Sequence, residues 1–460
     1  LPVEERASIL ETFLADLDEY EREEVAHAWE LYARERQLPP GVLWEAKPWA
    51  HWLIMSGRGF GKTRTGAQTV LAMKNQIGRV ALVGRTLTDA MEVMVEGESG
   101  ILEVSPPWDV PRYIRSKERP RLEWGNGARA YIYSSKNPDS LRGPQHGGYW
   151  LDELAAFYYL EETWDNLQYG LRLGHTPWGV VTTTPRPIRF LKGWLEHAKP
   201  VEGLEGVLYS ERELLYVYRG STYENLANLA PAFRQTVLAR YEGTRKGRQE
   251  IHGDLLGEID GALWTRDMID DTRVSIRDVP AFDQIVVAID PPGSKSAGMA
   301  GIAVVGSARI TGPKGVKERH TYTLEDVSGH YSPSEWADAA LAAYERWSAN
   351  RIVAERNFGG DMVENTVRQA PGGKDVHFRL VNASRGKAVR AEPIVNLMEQ
   401  GRDHHVGMLA ELEDELCEWV PGGTDWSPNR LDAKVWGATA VGLQREGVVR
   451  ARGQTAGAAA

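Results

Sequence analysis

The stretch Ser56-Gly57-Arg58-Gly59-Phe60-Gly61-Lys62-Thr63 constrains this chain more than any other. It follows the apolar run Trp52-Leu53-Ile54-Met55 and opens a segment of helical character, Arg64 to Met73. Strand, glycine-rich turn, Lys-Thr and helix is the order a phosphate-cradling loop needs, because only small residues let backbone N–H groups converge on a polyphosphate. In that reading Lys62 reaches the β and γ phosphates and the Thr63 hydroxyl helps to hold Mg²⁺, so the expected ligand is ATP with Mg²⁺. Ser56 stands where such loops usually carry their first glycine, yet Gly57, Gly59 and Gly61 still supply the permissive turn. The alternative is a glycine-rich turn that only joins a strand to a helix.

At 460 residues the chain exceeds one compact core, and two or three domains are expected. No apolar run approaches the roughly 20 residues of a membrane span, and the acidic start Leu1-Pro2-Val3-Glu4-Glu5 is unlike a signal peptide. One cysteine, Cys417, excludes an internal disulfide and a four-cysteine zinc site, which fits a reducing cytosol. A formal charge of −10 argues against coating nucleic acid by bulk electrostatics but leaves room for a local basic groove.

Residues 1 to about 40 alternate acidic and apolar positions and read as one or two amphipathic helices ending near Pro39-Pro40. The aromatics of Lys47-Pro48-Trp49-Ala50-His51-Trp52 suit an adenine ring less well than they suit a core. Beyond the loop helix, Arg79 to Gly84 reads as a buried parallel strand, followed by a helical stretch through Met94. Arg121 to Tyr133 reads as a hairpin turning at Asn126-Gly127. Gly148-Tyr149-Trp150-Leu151 is a further buried strand, and it delivers Asp152 and Glu153 where an open α/β sheet places its ligand. Asp152 is then the holder of Mg²⁺, and Glu153 the base that orients and deprotonates the attacking water. The plainer role for such a pair is capping the next helix. Trp178 to Pro185 is another buried strand, whose closing hydroxyls Thr182, Thr183 and Thr184 either terminate it or sense the γ-phosphate. Arg142, on the loop Ser140 to Pro144, is placed to stabilise transition-state charge from its own subunit or a neighbour.

Together the loop with its extra Arg58, the hairpin, Leu141-Arg142-Gly143, Trp150-Leu151-Asp152-Glu153 and Thr182-Thr183-Thr184-Pro185 resemble the large subunit of a tailed-bacteriophage DNA-packaging terminase. Similar proteins occur in prophages and gene transfer agents. The resemblance spans about residues 45 to 445 and implies a motor that moves double-stranded DNA into a procapsid, with a second domain that cuts it. It makes Arg142 a trans-acting arginine finger, Arg58 a cis sensor and Thr182 to Thr184 the coupling motif. The implied partners are duplex DNA, the procapsid portal protein and the small terminase subunit, with a homo-oligomeric ring during packaging. The implied location is the host cytoplasm, docked at the portal and away from any membrane.

The second half then has to supply a nuclease. Gln284 to Ile289 reads as a strand delivering Asp290, with Gly301 to Gly306 as its hairpin partner in an RNase H-like sheet. Arg351 to Ala354 delivers Glu355, and Asp432 precedes an apolar helix, Val435 to Leu443. Two-metal phosphodiester hydrolysis needs such a convergence of carboxylates around two Mg²⁺ or Mn²⁺ ions, Asp290 bridging them and Glu355 and Asp432 each completing one side. Each acid taken singly reads as a surface charge or helix cap. Where related sequences often carry a further acid, this chain reads Ala297-Gly298-Met299-Ala300. The basic stretch Arg379 to Arg390, with Arg379, Arg385, Lys387 and Arg390, is either a phosphate-backbone contact or a solvated helix face. His404-His405 reads as structural, because adjacent strand residues face opposite ways.

The expected architecture is α/β throughout: a helical segment (1–40), a P-loop ATPase domain with a mostly parallel sheet flanked by helices (41–260), a linker (261–278), an RNase H-like endonuclease domain (279–448) and a disordered tail (449–460). Two rivals stand beside the motor nuclease. One is a DNA-translocating ATPase whose C-terminal domain is a non-cutting DNA-binding scaffold, and the other is a non-catalytic, nucleotide-dependent assembly factor.

Overall fold

Apolar runs in the first half become strands buried on both faces, the signature of a parallel sheet covered by helices. The computed structural model describes residues 17–238, 245–291, 299–312, 315–355, 360–381, 386–423 and 426–443. Contacts divide the chain into two units, Leu1–Glu258 and Ile259–Ala460.

In the first unit β1 (His51–Ser56), β2 (Arg79–Gly84), β3 (Arg112–Ile114), β4 (Arg121–Glu123), β5 (Arg129–Ser134), β6 (Gly148–Asp152), β7 (Trp178–Thr183), β8 (Lys199–Pro200), β9 (Val207–Ser210) and β10 (Leu215–Gly220) form one sheet in the order β3-β4-β5-β2-β6-β7-β1-β10-β9-β8. The six central strands, β5 to β10 in that order, pair in parallel, while β3-β4 and β9-β8 add antiparallel edges. The carboxyl ends of β1, β6 and β7 therefore lie side by side. The β4–β5 hairpin turns at the expected place, with Gly127 at φ 86° and Trp124 N–H bonded to the Ala128 carbonyl at 3.0 Å.

Helix α1 (Glu19–His27) is capped by Asp18 and buries none of its residues, so it is not an amphipathic packing helix. Helix α2 (Lys62–Ile77) runs back from the glycine-rich loop beneath the sheet. A Cβ on Gly66 of α2 would come within 2.1 Å of the Trp150 indole, so that glycine sets the helix-to-strand distance. The expected helix after β2 is a single turn, Leu87–Asp89, continued by wider-wound backbone over Ala90–Val95.

The second unit is built on β11 (Gln284–Asp290), β12 (Met299–Thr311), β13 (Lys317–Asp326), β14 (Gly329–His330), β15 (Arg351–Glu355), β16 (Phe378–Val381) and β17 (Asp403–His405). The path is β16-β15-β11-β12-β13-β17, with β14 on β12. Strands β11, β12 and β13 run antiparallel, and β15 joins β11 in parallel. Asp290 and Glu355 thereby end neighbouring strands on the same side.

Residues 261–278, expected as a linker, contain helix α3 (Arg266–Thr272), which is part of the second unit's core. Arg266 bonds Glu413 at 3.0 Å, and Arg273 bonds Glu413 at 2.6 Å and Asp270 at 2.6 Å. Glu413 is fully buried, and despite the opposing effect of burial Arg273 and His405 hold its carboxyl well below the usual range. A buried charge of this kind is tolerated only with such partners. The C-terminal helix α4 (Asn429–Ala438) starts before Asp432 rather than after it. A Cβ on Gly301 would lie 1.9 Å from the Asn429 carbonyl, so glycine at that β12 position lets the start of α4 press onto the strand. The tail and residues 1–16 lie outside the described residues.

Candidate active sites

In the first unit the loop between β1 and α2 takes its shape from backbone that only glycine adopts easily. Gly61 caps α2 at φ 100°, and a Cβ on Gly57 would meet the Ile251 carbonyl at 2.3 Å. Lys62 is buried and folds its ammonium over the loop, donating to the carbonyls of Ser56 at 3.0 Å and Gly57 at 3.1 Å and to Thr184 Oγ1 at 3.2 Å. Glu153 Oε1 lies 3.6 Å from Lys62 Nζ. Its carboxylate also accepts the Thr184 N–H at 3.0 Å and the Thr184 hydroxyl at 3.2 Å. Glu153 has φ 54°, a strained value for a non-glycine residue, and that turn swings it away from the line of β6.

Asp152 accepts the Thr182 hydroxyl at 2.6 Å, and the same hydroxyl accepts the Trp150 indole N–H at 3.0 Å. Thr183 Oγ1 accepts the Ala155 N–H at 3.0 Å, so all three threonines are tied to the acidic strand end. Burial and the adjacent Glu153 push Asp152 up to about 7. Glu153 is moved down instead: burial opposes this, but Lys62, Thr184 and Arg186 outweigh it. The two neighbouring carboxyls are thus driven in opposite directions, Asp152 upward by burial and Glu153 downward by the cation and donors around it. Among the described residues the Ser56 hydroxyl is buried without a hydrogen-bond partner, and the contacts of the Lys62 ammonium are three neutral oxygens and one carboxylate. These features fit a phosphate group, and Thr63 and Asp152 are the oxygen donors available to an accompanying Mg²⁺.

Other expected residues are placed differently. Arg58 is exposed and ion-paired with Glu250 at 2.6 Å. Arg142 is 68% exposed, pairs with Asp139 at 3.6 Å, and lines a cavity of about 810 Å³ beside β5. Its described contacts include none with Lys62 or Glu153.

Sequence reasoning missed the segment before β1. Arg34 bonds the Phe60 carbonyl and, at 2.7 Å, Asn225, while Gln37 donates to Thr65 Oγ1 at 3.0 Å. These residues fasten the N-terminal segment onto the glycine-rich loop from roughly 25 positions away, with no local pattern to announce it.

In the second unit Asp290, Glu355 and Asp432 are brought together. Asp290 ends β11 and Glu355 ends β15, while Asp432 projects from the first turns of α4 and is 3% exposed. Burial, then the Asp432 charge, pushes Asp290 well above the usual carboxyl range, with Glu355 adding to the rise and Lys387 and Arg390 opposing it. Burial also raises Glu355. Lys387 and Arg390, expected on a DNA-facing surface, point into this cluster. Both lie on one face of α5 (Lys387–Glu399). Lys387 Nζ bonds Asp432 and, at 2.9 Å, Ser427 Oγ. Arg390 reaches Asp432 Oδ1 at 3.4 Å and Glu355 Oε2 at 3.7 Å, and stacks over the Trp436 ring at 4.4 Å. Hard carboxylate oxygens suit Mg²⁺ or Mn²⁺, although among the described residues no three His, Cys, Asp or Glu side chains are spaced to hold a single ion. Arg379 is exposed on β16, and Arg385 lies outside the described residues. His405 bonds Glu413 at 3.1 Å and His404 bonds the Thr272 carbonyl at 2.8 Å, both within the core around α3.

Two family models match this chain. Residues 53–271 match the N-terminal part of the terminase large subunit, T4likevirus-type, and residues 287–420 match the terminase RNaseH-like domain. Similar solved structures include a large terminase from a thermophilic bacteriophage in complex with ADP: 12% identity, 89% of this chain and 99% of that chain covered, TM-score 0.43. The large terminase ATPase domain of Thermus phage P74-26 aligns at 15% identity over 50% of this chain and 97% of its own, TM-score 0.37. A nuclease domain of the large terminase subunit of bacterial virus Sf6, with manganese and β-thujaplicinol, aligns at 14% identity over 38% and 96%, TM-score 0.29. No curated protein matches in sequence. Among the described residues no helix is long and apolar enough to cross a membrane.

Proposed function

The chain belongs to the terminase large-subunit family, with an ATPase domain and an RNase H-like domain, and from that premise we propose that it hydrolyses ATP to drive double-stranded DNA into a procapsid and cuts concatemeric DNA with divalent metal. The observation that carries the motor half is the convergence of Lys62, Glu153 and Thr184 within 3.6 Å at the mouth of the glycine-rich loop. Lys62 binds the polyphosphate. Glu153, held by two bonds from Thr184 and kept ionised by Lys62, orients the attacking water and takes its proton. Mg²⁺, held by Thr63 and Asp152, would neutralise phosphate charge. The Thr184 bonds give loss of the γ-phosphate a direct route to β7, and through Thr182 and Thr183 to β6. Arg142, exposed and with no described contact to Lys62 or Glu153, would serve the nucleotide of a neighbouring copy in a ring.

In the second domain Asp290, Glu355 and Asp432 would hold the divalent metal that activates water against the phosphodiester. No base-reading module is apparent in the sequence, so the cutting site would be chosen by a partner, the small terminase subunit, while the portal receives the DNA. The host cytoplasm, at the procapsid, is the corresponding location. The non-cutting scaffold remains the second reading, because Lys387 and Arg390 already neutralise two of the three acids.

Glu153→Ala tests the motor. ATP binding by a fluorescent analogue should persist while hydrolysis falls by about 10²–10⁴-fold, and a wild-type rate would refute the assignment. For the nuclease, Mn²⁺-dependent nicking of plasmid by the full chain should vanish in Asp290→Asn. If the folded wild-type protein leaves plasmid intact, the scaffold reading stands instead.

A further inference from the structure

Strand β5 sends alternate side chains to opposite faces. Ala130 and Ile132 enter the hydrophobic core of the first unit, so Tyr131 and Tyr133 stand on the other face, where they line the cavity of about 810 Å³ that Arg142 also lines. That volume falls in the range of roughly 300–1,000 Å³ that small-ligand sites occupy. In the sheet order β5 lies four strands from β1, about 19 Å at the ordinary strand spacing, so the cavity is separate from the glycine-rich loop.

The lining is basic in a chain whose formal charge is −10. Arg79, Lys117, Arg119, Lys136 and Arg142 meet two acids there, Glu118 and Asp139. Asp139 pairs with Arg142 at 3.6 Å, and Lys136 lies over the Tyr158 ring at 4.4 Å. Among the described residues Arg79, Lys117 and Arg119 form no ion pair. Burial, then Tyr131, raises the Tyr133 hydroxyl above its usual value, and Arg119 and Arg79 oppose the rise, so both guanidinium groups are within electrostatic reach of that one hydroxyl.

The same cavity is lined by a polar group with no bond to make. His146 is 1% exposed, and neither ring nitrogen has a hydrogen-bond partner among the described residues. Burial, helped by Arg79, pushes it down to about 4, so at neutral pH the imidazole is uncharged, with one N–H to donate and one nitrogen to accept. A buried polar group left in this way costs stability until a partner reaches it. A bare anion takes only the N–H, whereas a molecule carrying both phosphate and hydroxyl or amino groups takes both nitrogens. The tyrosine rings add aromatic surface of the kind on which bases stack.

We infer that this cavity is a second nucleotide site, which binds a nucleoside di- or triphosphate apart from the glycine-rich loop, with Arg79 and Arg119 on the phosphates and both nitrogens of His146 bonded to the ligand. It adds to the motor reading and does not depend on it.

Equilibrium dialysis of radiolabelled ADP against the full chain is the test. The wild type should bind two ADP per chain. Lys62→Ala should lose the site at the glycine-rich loop and keep the other. Arg119→Ala should keep the loop site and weaken the cavity site by at least about tenfold, as expected for one lost hydrogen bond to a charged group. His146→Phe, which keeps the bulk of the ring, should weaken the same site, and inorganic pyrophosphate should bind there at least about tenfold more weakly than ADP. One ADP per wild-type chain would overturn the inference and leave the motor reading intact, and no ADP at all would overturn both. Pyrophosphate binding as tightly as ADP, or short duplex DNA responding to Arg119→Ala in place of ADP, would also overturn it. Arg119 is exposed, so its variant decides the question even if His146→Phe does not fold.

Discussion

Replacing Glu415 with glutamine probes how the helix bearing Asp432 is held at its start. Glu415 lies on the helix Ala410–Glu418, and its carboxylate accepts the Leu431 N–H of α4 at 2.9 Å, satisfying one of the backbone donors a helix start leaves unpaired. Burial pushes Glu415 up from 4.5 to about 7, opposed by Leu431 N–H and Arg430 and reinforced by Asp326. An acid raised in this way holds its proton more tightly in the folded state. Its contribution is therefore complete below about pH 4.5 and is lost as pH climbs through about 7. The rise corresponds to roughly 3 kcal/mol at pH 8, an upper figure because the residue is only part-buried. Glutamine keeps an acceptor oxygen for Leu431 and cannot ionise. Glu415→Gln should therefore match the parent at pH 4.5 and exceed it by up to roughly 3 kcal/mol at pH 8. Glu415→Ala, which also removes the acceptor, should lose about 1 kcal/mol at pH 4.5. Urea unfolding of the second unit followed by tryptophan fluorescence across this pH range gives the comparison. A difference between Glu415→Gln and the parent that does not change with pH would show that the carboxyl is not raised.

Other substitutions test the packing that positions each site. Gly66→Ala drives a methyl into the Trp150 indole, and as overpacking it should cost about 1–3 kcal/mol in a thermal melt while slowing ATP hydrolysis, because Trp150 carries the bond to Thr182. Lys434→Ala strands the fully buried Asp403, which Lys434 pairs with at 2.5 Å, and should cost about 3–5 kcal/mol in urea unfolding. Replacing both by apolar residues, Lys434→Met with Asp403→Leu, should recover most of that loss. If the double variant is as unstable as the single one, the buried pair is not the cause. Arg142→Ala should lose ATP turnover, and mixing it with Glu153→Ala should restore part of the rate. No recovery in assembled rings would assign Arg142 to its own subunit.

The sequence made legible what depends on local order. Strand, glycine turn and Lys-Thr lie within a dozen residues, and the backbone there is governed by which residues tolerate left-handed φ, so β1, the loop and α2 appear where expected. Asp152, Glu153, Asp290 and Glu355 were legible for a related reason: each ends an apolar run long enough to be a buried strand, and strand ends are where open sheets expose their ligands. What tertiary structure alone decided are the contacts across long separations. Arg34 and Gln37 on the glycine loop, α3 in the core rather than a linker, and Lys387 and Arg390 turned inward onto Asp432 all involve polar side chains whose partners lie from about 25 to 150 residues away. A basic side chain reads the same in sequence whether it faces solvent, a phosphate or a buried carboxylate. Only the packing of α4 and α5 against the sheet fixes which of these it meets.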